Sequence, residues 1–267
     1  MAVKVAIIFY SMYGHVRKLA EAEKKGVEAA GGQADLFQIK ETLPSEVTTK
    51  MHAPPQDESI PFATPDTMKE YNTFLFGVPT RYGNYSAQWK TFIDQLGQLW
   101  MSGALAGKYF GLFVSTASQG GGQESTAIAA LSSWAHQGMI YVPLGYAHAF
   151  GIQTDLTEAR GGSPWGAGTY AAGDGSRQPS AKELELAEIQ GKQFAITVGK
   201  TADGTTTAAP AKKEEPINPA PTNGATSDEK TTAAPTPATK TDQTAPTPTT
   251  EKDDKDGKFC GMKCVVL

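Results

Sequence analysis

The chain has 267 residues, and 24 Lys and Arg against 28 Asp and Glu leave a formal net charge of −4. With that balance and no basic stripe, nucleic acid is excluded as a partner. The only cysteines are Cys260 and Cys264, so the preceding residues can form neither disulfides nor thiolate metal sites. His15, His52 and His148 lack partners at metal-ligand spacing, and no metal site is expected.

Val3–Phe9 is a short, nearly continuous apolar run, as a parallel strand buried on both faces requires. A helix is expected from about Gly14 to Ala30, ended by Gly31-Gly32. Ala34–Ile39 and Thr73–Val78 read as the second and third strands, the latter followed by a helix over about Ser86–Leu96. Tyr109–Val114 is a fourth strand, Glu124–His136 a helix and Met139–Val142 a fifth strand. The last helix spans about Ser180–Val198, with Ser180 and Glu183 at capping-box positions. Strands alternating with helices predict an α/β fold with right-handed crossovers. Five such units fit a doubly wound, five-stranded parallel sheet of flavodoxin-like order 2-1-3-4-5.

Composition changes sharply near residue 200. From Thr201 to Lys258 there is no aromatic residue, and Ile217 is the only large aliphatic one. Such a segment cannot bury enough apolar surface to offset its ordering entropy. The expected organisation is therefore a folded domain over 1–199, a disordered Thr/Ala/Pro/Lys-rich linker over 200–257 and a short tail over 258–267. The tail ends Cys264-Val265-Val266-Leu267, a C-a-a-X pattern whose terminal Leu favours geranylgeranylation of Cys264. A single lipid commonly needs a second signal, and Cys260 is placed to take a palmitoyl chain. The address expected from this is the cytoplasmic side of the plasma membrane, with a cytosolic pool.

In such sheets ligands bind beyond the carboxyl ends of the strands, at the switch point between strands 1 and 3. Ser11, Met12, Tyr13, Gly14, His15 and Val16 follow strand 1 and lead into a helix N-terminus. Free N–H groups and the helix dipole suit a phosphate there, although an ordinary capped turn would read the same way. The dinucleotide pattern G-x-G-x-x-G is missing, and Gly199-Lys200-Thr201 sits at a helix end and is no phosphate loop. Pro79, Thr80, Arg81 and Tyr82 follow strand 3; Ser115, Thr116, Ala117, Ser118, Gln119 and Gly120 follow strand 4. Together the three loops describe a mononucleotide carrying a large flat ring, and FMN is the natural candidate.

These loops, with His136, Arg160–Gly166 and Gly173–Ser180, carry a resemblance that runs over nearly all of residues 3–199. The chain resembles the WrbA family of flavodoxin-like NAD(P)H:quinone oxidoreductases. The resemblance implies that Ser11–Val16 hold the FMN phosphate, Pro79–Tyr82 contact the flavin and Ser115–Gly120 meet its far edge. It places His136 at the flavin and quinone pocket, Trp100 on the pocket wall and Tyr13 near the nicotinamide. Taken singly, Trp100 reads as a core or interface aromatic, His136 as a helix cap and Arg81 as a surface ion pair. The stretch Ser115–Gln119 departs from the family, which tends to have more Thr and Gly there. The implied activity is ping-pong, two-electron transfer from NADH or NADPH to a quinone, with Arg81 stabilising the reduced flavin and His136 donating to the quinone. The implied assembly is a homo-tetramer or dimer. Two other readings remain open: an FMN-binding membrane-domain scaffold without significant turnover, and a one-electron carrier.

Overall fold

A computed structural model describes residues 2–202. The linker from residue 203 onward, Cys260 and Cys264 lie outside the described residues. In chain order the elements are β1 (Lys4–Phe9), α1 (His15–Ala29), β2 (Gln33–Gln38), α2 (Ser45–Lys50), α3 (Pro65–Glu70), β3 (Thr73–Pro79) and α4 (Ala87–Asp94). There follow α5 (Gly97–Met101), β4 (Tyr109–Thr116), α6 (Gln123–His136), β5 (Ile140–Tyr141), α7 (Phe150–Gln153), β6 (Gly168–Tyr170) and α8 (Ala181–Ala202). The strands are parallel in the order β2-β1-β3-β4-β5. This is the flavodoxin-like order.

Side-chain alternation along the strands splits the core in two. Val5, Ile7 and Phe9 of β1, Leu75 of β3 and Phe113 of β4 join Leu19, Val27, Leu186 and Phe194 of α1 and α8 on one face. Ala6, Ile8, Phe74, Phe76, Phe110 and Leu112 join Trp89, Phe92, Ala127 and Trp134 of α4 and α6 on the other. There the Trp134 and Phe76 rings stack at 4.3 Å, and Trp89 Nε1 donates to the Gly77 carbonyl at 2.9 Å.

Helices α1 and α8 cross backbone to backbone. A Cβ on Gly26 would lie 1.9 Å from the Glu188 carbonyl oxygen, and one on Gly191 would lie 2.1 Å from that of Glu23. Only glycine fits at both positions. Beside this crossing Glu23 is fully buried, and neither of its carboxylate oxygens has a hydrogen-bond partner.

Two expectations need correction. The fifth strand shrinks from Met139–Val142 to Ile140–Tyr141, and a sixth, unforeseen strand pairs with the same neighbour. Val142 N–H still donates to the Phe110 carbonyl at 2.8 Å, but the next acceptor in line, the Leu112 carbonyl, is taken by Gln190 Nε2 at 2.9 Å. The chain leaves, carries α7, and returns when Val114 N–H donates to the Ala167 carbonyl at 2.9 Å. Helix α8 also runs on to Ala202, past its expected end at Val198. Its start is as read: Ser180 Oγ accepts from Glu183 N–H at 3.3 Å, and Glu183 Oε2 accepts from Ser180 N–H at 2.8 Å.

Candidate functional site

Beyond the carboxyl ends of β1, β3 and β4 lies a cavity of about 390 Å³, within the range of small-molecule sites. The first loop contributes Ser11, Met12, Tyr13, His15 and Val16 to its wall. Gly14 is the N-cap of α1 in the left-handed region, at φ 89, where a side chain is strained. A Cβ there would meet nothing within 4 Å, so the space beside the helix N-terminus is open. Ser11 Oγ accepts the Arg17 N–H at 3.2 Å, leaving its own hydroxyl hydrogen to donate.

His15 is buried, and its Nε2–H donates to the Arg177 carbonyl at 2.9 Å. Burial lowers its pKa, while the carbonyls of Arg177 and Gly175 pull it back up, with a net fall. A neutral imidazole therefore locks the phosphate-side loop to the segment before α8.

After β3, Pro79, Thr80, Arg81 and Tyr82 form the second wall. Arg81 and Asn84 exchange backbone hydrogen bonds at 2.9 and 3.0 Å around Tyr82-Gly83, both at positive φ. Tyr82 is 96 % exposed. Holding a tyrosine in the left-handed region costs about 1–3 kcal/mol, a strain found most often at functional sites. Arg81 donates to the Thr80 carbonyl at 2.9 Å and has no ion-pair partner among the described residues. Burial lowers its pKa, partly offset by Tyr10, Tyr13 and Glu41. It is the only Lys or Arg on the cavity wall.

The third wall differs in detail from the expected loop. Ser115 and Thr116 are the last residues of β4, and Ala117 and Ser118 follow them into the cavity lining. Gln119 and Gly120 do not line it, whereas Gly121 does. Ala171 and Gly173, which were not among the expected site residues, complete it. They arrive on the chain that β6 returns to the sheet. The signal available in the sequence was the string Gly173–Ser180, matched but assigned no role.

The cavity does not include His136 or Trp100. His136 is the exposed last residue of α6, which starts beside the cavity loops and rises away over 14 residues, about 20 Å. Trp100 lies on α5 and is 57 % exposed. Gly107 N–H donates to the Gly138 carbonyl at 2.9 Å, which ties the segment after α5 to the same far edge of the sheet. One chain alone does not bring these two side chains to the site.

Residues 3–152 match the family described as NADPH-dependent FMN reductase. The chain belongs to that family. It is 60 % identical over 200 residues to NAD(P)H quinone oxidoreductase PST3 of Candida albicans, covering 75 % of this chain and 100 % of that one. Minor allergen Alt a 7 of Alternaria alternata is 57 % identical over 201 residues, with 75 % and 98 % covered. A WrbA-like flavodoxin structure from Agrobacterium tumefaciens superposes with a TM-score of 0.52 at 22 % identity, covering 74 % of this chain and 99 % of that one, a likeness of fold.

The residues present fit FMN. An open, glycine-capped N-terminus of a 15-residue helix suits its phosphate. Two further loops, with one half-buried unpaired cation, suit an electron-rich ring. Among the described residues no group of three or more His, Cys, Asp or Glu side chains could hold a metal ion.

Proposed function

We propose that this chain is an FMN-dependent NAD(P)H:quinone oxidoreductase. The observation that carries it is the cavity formed by the three loops, in a chain of the FMN reductase family. When bound, FMN supplies a two-electron carrier that accepts hydride from NAD(P)H and returns electrons to a quinone. Ser11 and the first N–H groups of α1 hold the phosphate, while Pro79–Tyr82 and Ser115–Ser118 orient the ring. Arg81 provides the fixed positive charge that favours added electron density. Both substrates use the one open face, so initial-rate plots should show the parallel lines of a ping-pong scheme.

His136 and Trp100 enter this proposal through a second copy of the chain. A homo-dimer or tetramer that sets the α5–α6 edge of one subunit over the cavity of another would place both at the quinone.

The first test is a titration with FMN, followed by NADH and then benzoquinone under anaerobic conditions. Bleaching and recovery of the flavin absorbance support the activity; no bleaching by either NADH or NADPH refutes it. Gly14→Val should weaken FMN binding by more than about tenfold, or about 1.4 kcal/mol. Unchanged affinity in a folded variant would remove the phosphate assignment.

The tail belongs to the same proposal. Prenylation of Cys264 and palmitoylation of Cys260 would hold the enzyme at the cytoplasmic face of the plasma membrane, near lipophilic quinones. Both cysteines of the sequence fall within its last eight residues, one of them in the C-a-a-X pattern. Cys264→Ser should move the protein wholly to the soluble fraction of a lysate. Continued sedimentation with membranes would refute the anchor.

A further inference from the structure

A second cavity, of about 460 Å³, adjoins the first and shares Ser11 and Met12 with it. The rest of its wall comes from Tyr10, Glu41 and the segment 43–56, which carries α2. Helix α2 buries none of its own residues, so core packing does not account for its position. The wall combines flat apolar surfaces, Pro54 and Pro55, with the hydroxyls of Ser45, Thr48 and Thr49. Thr48 and Thr49 already donate to the Ser45 carbonyl, at 3.0 and 2.8 Å, which leaves their oxygens able to accept.

The charge on this wall is of one sign. Glu41 is its only ionisable carboxylate, and no Lys, Arg or His lines it; Lys40 and Lys50 flank the segment without reaching the lining. Glu41 is fixed in place. Its Oε2 accepts from Tyr10 Oη at 2.5 Å, and its Oε1 accepts from Gln88 Nε2 at 2.7 Å and the N–H groups of Thr42 and Leu43 at 2.7 and 2.9 Å. Burial pushes its pKa up, but these bonds outweigh burial and hold it below the usual carboxylate value. At neutral pH it is an anion. Across the shared wall, Arg81 lines the first cavity and feels the charge of Glu41 in the second.

We infer that the second cavity is the adenosine subsite of the nicotinamide nucleotide, and that it selects NADH over NADPH. This deepens the redox reading above and rests on it. The pyrophosphate would cross the shared Ser11–Met12 wall near Arg81, while purine and ribose lie between the prolines and the α2 hydroxyls. NADPH would bring a 2′-phosphate of charge about −1.5 to −2 into the field of Glu41. With no cation on the lining to meet it, that phosphate is repelled and left unpaired, which is how a site rejects a near-identical ligand.

The test uses the full chain loaded with FMN, titrated calorimetrically with ADP-ribose and with its 2′-phosphorylated form. ADP-ribose should bind at least about tenfold more tightly. Thr48→Arg, which sets a cation among the hydroxyls, should raise the NADPH-to-NADH ratio of kcat/KM by a similar factor and bring the two titrations close together. Equal binding of both probes to the wild-type protein, no binding of either, or an unaltered ratio in Thr48→Arg would each overturn the subsite. The two wild-type titrations need no variant to fold. Because they need no turnover, they also separate the two failures: absence of flavin bleaching refutes the activity, whereas bleaching without probe discrimination refutes only this subsite.

Discussion

Replacing Glu183 by alanine is expected to destabilise the folded state by about 3–5 kcal/mol, the usual consequence of removing one partner of a buried ion pair. The carboxylate is fully buried at the start of α8. It accepts from Gly161 N–H at 2.7 Å, Thr169 Oγ1 at 2.7 Å, Ser180 N–H at 2.8 Å and Arg177 Nη1 at 2.9 Å. One deletion therefore orphans donors from four segments and leaves a part-buried guanidinium unpaired. The loss should reach the ligand as well. Ala171 and Gly173 line the first cavity, and the Arg177 carbonyl holds His15. Urea unfolding followed by the fluorescence of buried Trp89 and Trp134 would measure the first effect, and FMN titration the second. A loss below about 1 kcal/mol would show that this network is not what secures the returning chain.

Glu23→Met is expected to act in the opposite direction. Burial alone pushes the Glu23 pKa well above its ordinary value of 4.5, and both of its oxygens lack partners. In the unfolded chain the group ionises near 4.5; in the folded chain it keeps its proton to a higher pH. The folded state thus binds more protons, and wild-type stability falls as pH rises from about 4.5 to the folded-state pKa. The slope is about 1.4 kcal/mol per pH unit. Methionine has similar bulk and no proton to lose, so Glu23→Met should be the more stable protein at pH 7. Its advantage should shrink as the pH is lowered towards 4.5. Denaturant midpoints at four or five pH values would show this, and a pH-independent difference or a destabilised variant would contradict it.

The sheet was legible because its strands are buried on both faces. Runs such as Val3–Phe9 and Thr73–Val78 have the length and composition of central parallel strands, and five strand–helix units fit the order found. The Ser180/Glu183 box was legible for a local reason, since capping chemistry sits within four residues. Strand β6 was not. Three residues, Gly168-Thr169-Tyr170, carry no period, and their pairing with Val114–Thr116 is set by a chain excursion that local patterns do not register. The second cavity was missed likewise, because its walls come from a segment without strong periodicity. At the first cavity, the loops after β1 and β3 lie where topology places them. The third loop shifted because β4 runs two residues longer than its apolar stretch. His136 and Trp100 are a different case: neither lines the first cavity, and only the proposed assembly would bring them to one.

The interrupted outer edge next to β4 affects the solubility of the protein. An unbroken edge strand offers incoming chains a row of free N–H and C=O groups, and so a template for sheet-to-sheet growth. Here an approaching strand would find two residues at Ile140–Tyr141 and three at Gly168–Tyr170, separated by Pro143 and the excursion that carries α7. Neither stub is long enough to hold a register. The detour that delivers Ala171 and Gly173 to the ligand cavity thus also guards this margin of the sheet against strand-by-strand aggregation.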